Sequence, residues 1–288
     1  MRYAELVKQG QLKLFKAGIN NADFDAWILV EKICGISRTE YFVKMHDKVD
    51  DKIVTQYFEA IEKRITHYPL QYIVGEWEFM GLPFKVNENV LIPRQDTEVL
   101  VEKALEIIEK ETEKRKANLS VMDMCTGSGC IGITVAKKCP KALVSCIDIS
   151  EAALNVAKEN AKLNEVKNIS FIHSDLYTNV NEKYNIIISN PPYITSEEVE
   201  KLMPEVKNFE PRIALDGDED GLKFYREIIA KSKEHLCENG YILFEIGYDQ
   251  GEQVKELLRE KGYTGIEVLK DFSGNDRVVI GKRRKMYV

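Results

Sequence analysis

The apolar positions change period along the chain. Over the first 68 residues they recur at helical spacing: Leu6, Val7, Leu14 and Phe15, then Phe24, Trp27, Ile28 and Ile33. Gly35 follows as a C-cap, and Ser37 with Glu40 three residues on makes a capping box for a helix over 38–44. Val54, Tyr57, Phe58, Ile61 and Ile65 share one side of a last helix. This predicts a small N-terminal helical domain over 1–68. Pro69 breaks the pattern, and the runs 71–79 and 82–86 predict a β-hairpin linker over 69–88, turning at Met80-Gly81. Residues 91–98 lead into a helix ending near Glu109. From Leu119 short apolar runs at 119–124, 143–147, 169–173, 184–189 and 241–246 alternate with helical stretches at 130–138, 151–163, 222–236 and 250–262. That alternation predicts an α/β domain over 89–288 built on a doubly wound parallel sheet. Runs at 265–270 and 277–281 have no helix between them and predict an antiparallel C-terminal hairpin at the sheet edge.

Composition narrows the picture. A chain of 288 residues, 44% hydrophobic and 31% charged, is read as soluble and globular. Its formal net charge of −6 argues against gripping nucleic acid by bulk electrostatics. Through Gly75 there are 11 basic and 10 acidic residues, which favours protein docking over nucleic-acid reading for the helical domain; a structural cap would show the same balance. An early acid, Glu5, and the lack of a long apolar run point away from a secretory leader and a membrane span, so a cytoplasmic monomer is expected. Six cysteines without a Cys-x-x-Cys pair read as reduced, mostly buried thiols, and no metal site is expected.

Two stretches carry candidate chemistry. Ser189-Asn190-Pro191-Pro192-Tyr193 ends an apolar strand with two prolines, which have no N–H to donate. What such a turn offers is carbonyl oxygen, joined by the Asn190 side-chain oxygen and the flat face of Tyr193. Two acceptors and a plate suit a planar group bearing NH2, although a plain strand-ending turn would have the same sequence. Upstream, Asp123 to Ile131 spans a strand-to-helix turn in which Gly127 and Gly129 permit close backbone approach to a ligand. Asp148 ends the next strand 19 residues beyond Gly129, where nucleotide-binding sheets place an acid on ribose hydroxyls. No Gly-x-x-x-x-Gly-Lys-Ser/Thr is present, which excludes a P-loop. Gly127, Gly129 and Gly132 also fit the dinucleotide fingerprint, so spacing leaves a dehydrogenase open.

Resemblance goes further. Asp123-x-Cys-Thr-Gly-Ser-Gly, Asp148 after the second strand, Asp175 after the third and Asn190-Pro-Pro-Tyr after the fourth resemble the ordered motifs of S-adenosylmethionine-dependent methyltransferases. The resemblance implies a Rossmann-like methyltransferase sheet. It also implies a cofactor site in which Cys125, Thr126, Gly127, Ser128 and Gly129 pass beneath the methionyl part. Asp148 with Ile149 would hold the ribose, Asp175 with Leu176 would lie beside adenine, and Asn190 would close the site. The segments Pro69-Leu-Gln-Tyr-Ile73, Leu91-Ile-Pro-Arg-Gln-Asp-Thr-Glu98, Glu210-Pro-Arg-Ile-Ala-Leu215 and Asp271-Phe-Ser-Gly-Asn-Asp-Arg277 resemble the release factor glutamine methyltransferase family. Cys125 stands where many members carry Gly, and Gln95-Asp96 replaces a common Pro-Glu. Membership implies methylation of the glutamine of the Gly-Gly-Gln motif in class-1 peptide release factors. Asn190 and the Pro191 carbonyl would then accept the amide N–H groups, Pro192 would join them in binding the substrate, and Tyr193 would pack on the amide; a Pro192 that only stiffens the turn is the alternative. Arg94, Glu210 and Arg212 would shape the substrate entrance or hold a loop to the sheet as paired charges. Alternatives with the same core are a ribosomal-protein glutamine methyltransferase and a nucleic-acid amino methyltransferase acting on adenine N6 or guanine N2.

Overall fold

In the computed structural model, which describes residues 1–284, the N-terminal stripes become helices α1 (Tyr3–Lys16), α2 (Ala22–Cys34), α3 (Arg38–Lys44) and α4 (Asp51–Ile65). The capping box forms as read: the Ser37 hydroxyl accepts from the Glu40 N–H, and Glu40 accepts from the Ser37 N–H. Leu6, Leu14, Leu29, Tyr57 and Ile61 fill the core of this bundle with no exposed surface. A Cβ at Gly10 would fall 2.0 Å from the Tyr57 hydroxyl, so α1 needs glycine where this ring packs against it. Arg64 is buried here, donating to Asp25 and to Glu205 at 2.7 Å each.

The sequence reading differs from the structure after Pro69. Residues 71–74, expected as strand, belong to helix α5 (Leu70–Val74), closed by Gly75 in the left-handed region at φ 76°. Burying Leu70 and Tyr72 overrides the β-propensity of Tyr-Ile-Val. The hairpin is therefore shorter: β1 (Glu76–Phe79) and β2 (Leu82–Lys85), turning at Met80-Gly81. By contacts the chain divides into two compact units, Met1–Glu76 with Met203–Phe209, and Trp77–Leu202 with Glu210–Val288. Most of the hairpin thus counts with the larger unit, while 203–209 counts with the helices.

The larger unit continues with α6 (Asp96–Arg115), β3 (Leu119–Met124), α7 (Cys130–Lys138), β4 (Ala142–Asp148), α8 (Glu151–Leu163), β5 (Ile169–His173) and β6 (Tyr184–Ser189). After a mostly irregular stretch come a helix over Lys223–His235, β7 (Leu236–Glu245), a helix over Gly251–Glu260, and β8 (Tyr263–Lys270) with β9 (Asp276–Arg283). The seven strands lie in the order β5-β4-β3-β6-β7-β9-β8. The first five are parallel, and β9 runs antiparallel to both neighbours. Strands buried on both faces read as continuous apolar runs, as Ile186, Ile187 and Ile188 do.

All six cysteines are free, but only Cys130 and Cys146 are buried; the other four are half-buried, against the expectation of mostly buried thiols. No described helix is long and apolar enough to cross a membrane. Among the described residues no group of three or more His, Cys, Asp or Glu could hold a metal ion.

Candidate active site

β3 and β6 are neighbours at the centre of the sheet, and the chain leaves them toward opposite edges. Such a switch point opens a crevice beyond the strands' carboxyl ends. Here the turns after β3, β4, β5 and β6 line one cavity of about 1020 Å3, its mouth included.

The turn after β3 is built around Asp123. Its buried carboxylate accepts from the Thr126 hydroxyl and from the Gly132 N–H at 2.9 Å, which folds the loop back on the start of α7. A Cβ at Gly132 would meet the Cys146 sulfur at 2.4 Å and Asp123 Oδ2 at 2.9 Å, so the third glycine of the fingerprint is a packing glycine. Burial pushes the Asp123 carboxyl up to about 7, against the pull of its hydrogen bonds from Thr126 and Gly132. Cys125 holds φ at 61°, a left-handed conformation that glycine adopts without strain.

Asp148, at the end of β4, accepts from the Gly127 N–H through one oxygen and from the Ser150 N–H through the other, each at 2.8 Å. Burial raises its pKa while these N–H groups lower it. A carboxylate accepts about four hydrogen bonds. Spare acceptor capacity therefore faces the cavity. Ile149 beside it is 48% exposed, an apolar surface on the cavity wall. Asp175 is exposed on the wall, and Leu176 lines it at φ 45°.

After β6, Asn190 and Pro192 reach the wall. Asn190 Nδ2 donates to the Thr97 hydroxyl at 3.4 Å, and Ser189 Oγ donates to the Met124 carbonyl at 2.8 Å, fixing the ends of β6 and β3 together. Of the residues read from sequence, Arg94, Cys125 to Ser128, Asp148, Ile149, Asp175, Leu176, Asn190 and Pro192 meet at this one cavity. Gly129, Pro191, Tyr193 and Glu210 do not form its wall. Gly129 packs against Ile133 and Ala157 instead. Tyr193 turns its hydroxyl to the buried Glu245 at 3.4 Å, and its carbonyl accepts from Gln250 at 2.9 Å. Glu210 is buried, accepting from Arg94 and from the Ile92 N–H, so this pair ties the loop before α6 to the segment at 210 and leaves only Arg94 on the wall. Arg212 pairs at the surface with Glu200 at 2.6 Å and Asp216 at 3.1 Å.

Sequence reading missed Thr97 and Phe224 as wall residues. Thr97 lay inside a motif already singled out, but nothing local marks a helix-start threonine as the partner of Asn190, 93 residues on, or a helical phenylalanine as facing the cavity.

A doubly wound sheet with this strand order, a glycine turn after its first strand and Asn-Pro-Pro after its fourth defines an α/β methyltransferase, and residues 98–206 match the family model of the methyltransferase small domain. Residues 5–75 match that of the PrmC N-terminal domain. A release factor glutamine methyltransferase of Fusobacterium nucleatum is 40% identical over 94% of this chain and 76% of its own. One of Clostridium botulinum is 40% identical over 98% of each. The chain belongs to the release factor glutamine methyltransferase family. A solved methyltransferase from Pyrococcus furiosus shares the fold, with a TM-score of 0.51 and 14% identity over 82% of this chain and 100% of that one.

Proposed function

We propose that this enzyme transfers a methyl group from S-adenosylmethionine to the side-chain amide nitrogen of a protein glutamine, that of the Gly-Gly-Gln motif in class-1 peptide release factors. The observation that carries the reading is Asn190. It stands on the cavity wall, with its NH2 given to Thr97. Its carbonyl oxygen is left to accept a substrate N–H.

The wall fits the cofactor. Asp148 has lone pairs to receive ribose hydroxyls, exposed Ile149 offers a flat base an apolar surface, and Asp175 is an acceptor beside it. When bound, S-adenosylmethionine supplies an electrophilic methyl on a sulfonium. The acceptor nitrogen is poor because its lone pair is delocalised into the amide carbonyl. Asn190 Oδ1 accepts one of its N–H bonds and holds it toward the cavity, so positioning supplies much of the acceleration. Pro192 stiffens the turn on the wall, and Tyr193 acts from behind it. Exposed Phe15, Phe24 and Phe42 make the N-terminal helices the unit that docks the protein substrate.

Asn190→Asp is the test. It keeps size and an acceptor but loses the NH2 that anchors to Thr97, and its charge beside a sulfonium holds or tightens cofactor binding. Calorimetry is expected to show retained S-adenosylmethionine affinity. Single-turnover transfer to a release factor is expected to fall roughly a hundredfold or more, the scale of one lost transition-state contact. A rate within a few-fold of wild type would make Asn190 a turn residue only.

A further inference from the structure

Behind the cavity wall, several of its supports meet at Gln250, a buried side chain just before the helix Gly251–Glu260. Its NH2 donates to the Tyr193 carbonyl at 2.9 Å and to the Gly221 carbonyl at 3.3 Å. Its Oε1 accepts from the Gly247 N–H at 2.9 Å, just past the end of β7. Two of these partners adjoin the wall: Tyr193 follows Pro192, and Gly221 precedes the helix that carries Phe224. The wall segment from Pro211 to Ala214 is drawn into the same joint. Beyond it the Leu215 carbonyl accepts from the Ile194 N–H at 3.0 Å, and the Gly217 N–H donates to the Ile194 carbonyl at 2.8 Å. A Cβ at Gly221 would lie 2.3 Å from the Tyr193 carbonyl oxygen, and one at Gly217 would lie 2.8 Å from the Tyr193 Cα. Backbone therefore packs directly on backbone behind the turn, with no side chain to cushion it.

We propose that Gln250 is a positioning residue for methyl transfer: by clamping the Tyr193 carbonyl it fixes the far end of Asn190-Pro-Pro-Tyr193, and with it the direction in which Asn190 presents its amide oxygen. The proposal rests on the reading of Asn190 as the acceptor of the substrate amide. Pro191 and Pro192 have no N–H, so the middle of the turn cannot tie itself down as a strand would. It is held at its ends. At the near end Ser189 Oγ donates to the Met124 carbonyl at 2.8 Å, while Asn190 Nδ2 meets Thr97 only at a long 3.4 Å. At the far end the Gln250 bond to the Tyr193 carbonyl is the short one, and the Tyr193 hydroxyl adds a longer tie to Glu245 at 3.4 Å. Between the ends the proline rings lock φ at both positions, so few torsions remain through which one end can move without the other. Releasing the Tyr193 carbonyl lets the turn pivot about Ser189, and the Asn190 oxygen loses alignment while keeping its chemistry. A misplacement of about 1 Å can cost roughly a hundredfold in rate. The residues proposed to hold the cofactor, Asp148, Ile149, Asp175 and Leu176, stand on the turns after β4 and β5, so cofactor binding does not depend on the clamp.

The experiment measures the single-turnover rate on an intact class-1 release factor, and S-adenosylmethionine affinity by calorimetry, for wild type, Gln250→Met, Gln250→Asn and Ser232→Ala, with Asn190→Ala alongside. Gln250→Met keeps the length of the side chain and removes the donor. Gln250→Asn keeps the amide and suits the position before a helix, but it is one methylene short of the Tyr193 carbonyl. Ser232→Ala removes a buried hydrogen bond to Tyr263 at 2.6 Å that touches no part of the turn, and so controls for lost stability alone. Both Gln250 variants are expected to transfer at least about tenfold more slowly, with cofactor affinity within about threefold of wild type and the Ser232→Ala rate within about twofold. A smaller rate loss in either Gln250 variant overturns the proposal, as does a fall in cofactor affinity that matches the loss of rate, or equal slowing in Ser232→Ala. Should Gln250→Met not fold, Gln250→Asn decides. Asn190→Ala separates the two levels: a near-wild-type rate there removes the underlying reading, whereas its loss together with unimpaired Gln250 variants removes only the clamp.

Discussion

At the scale of single residues, the glycine turn is held by a buried acid beneath it, Asp123, and by Asp148 on the cavity wall. Asp123 organises the glycine turn from beneath, with one oxygen fully used and Oδ1 without a partner. Its carboxyl titrates at about 7 in the fold against 3.8 as the ordinary value. A raised folded-state pKa means the native state binds the proton more tightly than the unfolded chain does. The stability this contributes is full below about pH 4 and is lost as pH rises through about 7. Asp123→Asn, which never ionises, is therefore expected to show a shallower fall of unfolding free energy between pH 4 and pH 7 than wild type. Urea titrations across that range measure it; a single proton accounts for at most about 1.4 kcal/mol per pH unit. Parallel slopes for the two proteins would show that Asp123 is ionised throughout.

Elements place these residues, and here the sequence was legible to different depths. Strand-helix alternation from Leu119 onward was readable because strands buried on both faces give unbroken apolar runs of a length helices do not have. The antiparallel edge was readable because no helix separates β8 and β9. The stretch 71–74 was not, since Tyr-Ile-Val favours strand locally and only its burial among the N-terminal helices makes it turn. In the site, Asp148 and Asn190 were legible because each follows a strand at a fixed offset. Glu245 was not: its partner Tyr193 lies 52 residues away in sequence, and it reads as the end of an apolar strand. The hairpin's attachment was equally hidden. Asn160 of α8 accepts from the Lys85 N–H at 2.7 Å and donates to the carbonyls of Lys85 at 3.0 Å and Ser128 at 2.9 Å. One side chain so completes the edge of β2 and pins the glycine turn. Asn160→Leu keeps the volume and strands these groups. The expected loss is about 2–3 kcal/mol of unfolding free energy, with weaker S-adenosylmethionine binding in calorimetry. A change below about 1 kcal/mol would mean the hairpin and turn hold themselves.

On the scale of the whole molecule, the chain is acidic, its helical N-terminus is nearly neutral, and aromatic residues are exposed there. The account's central claim concerns what receives the methyl group. It is tested most directly by incubating the full-length enzyme with labelled S-adenosylmethionine and, separately, an intact class-1 release factor, ribosomal proteins and DNA, then locating the label by mass spectrometry. The account predicts one methyl group per release factor, on the side-chain amide of the Gly-Gly-Gln glutamine, and none on DNA. Faster labelling of a ribosomal protein or of DNA, or a methyl group on any other release-factor residue, would contradict it.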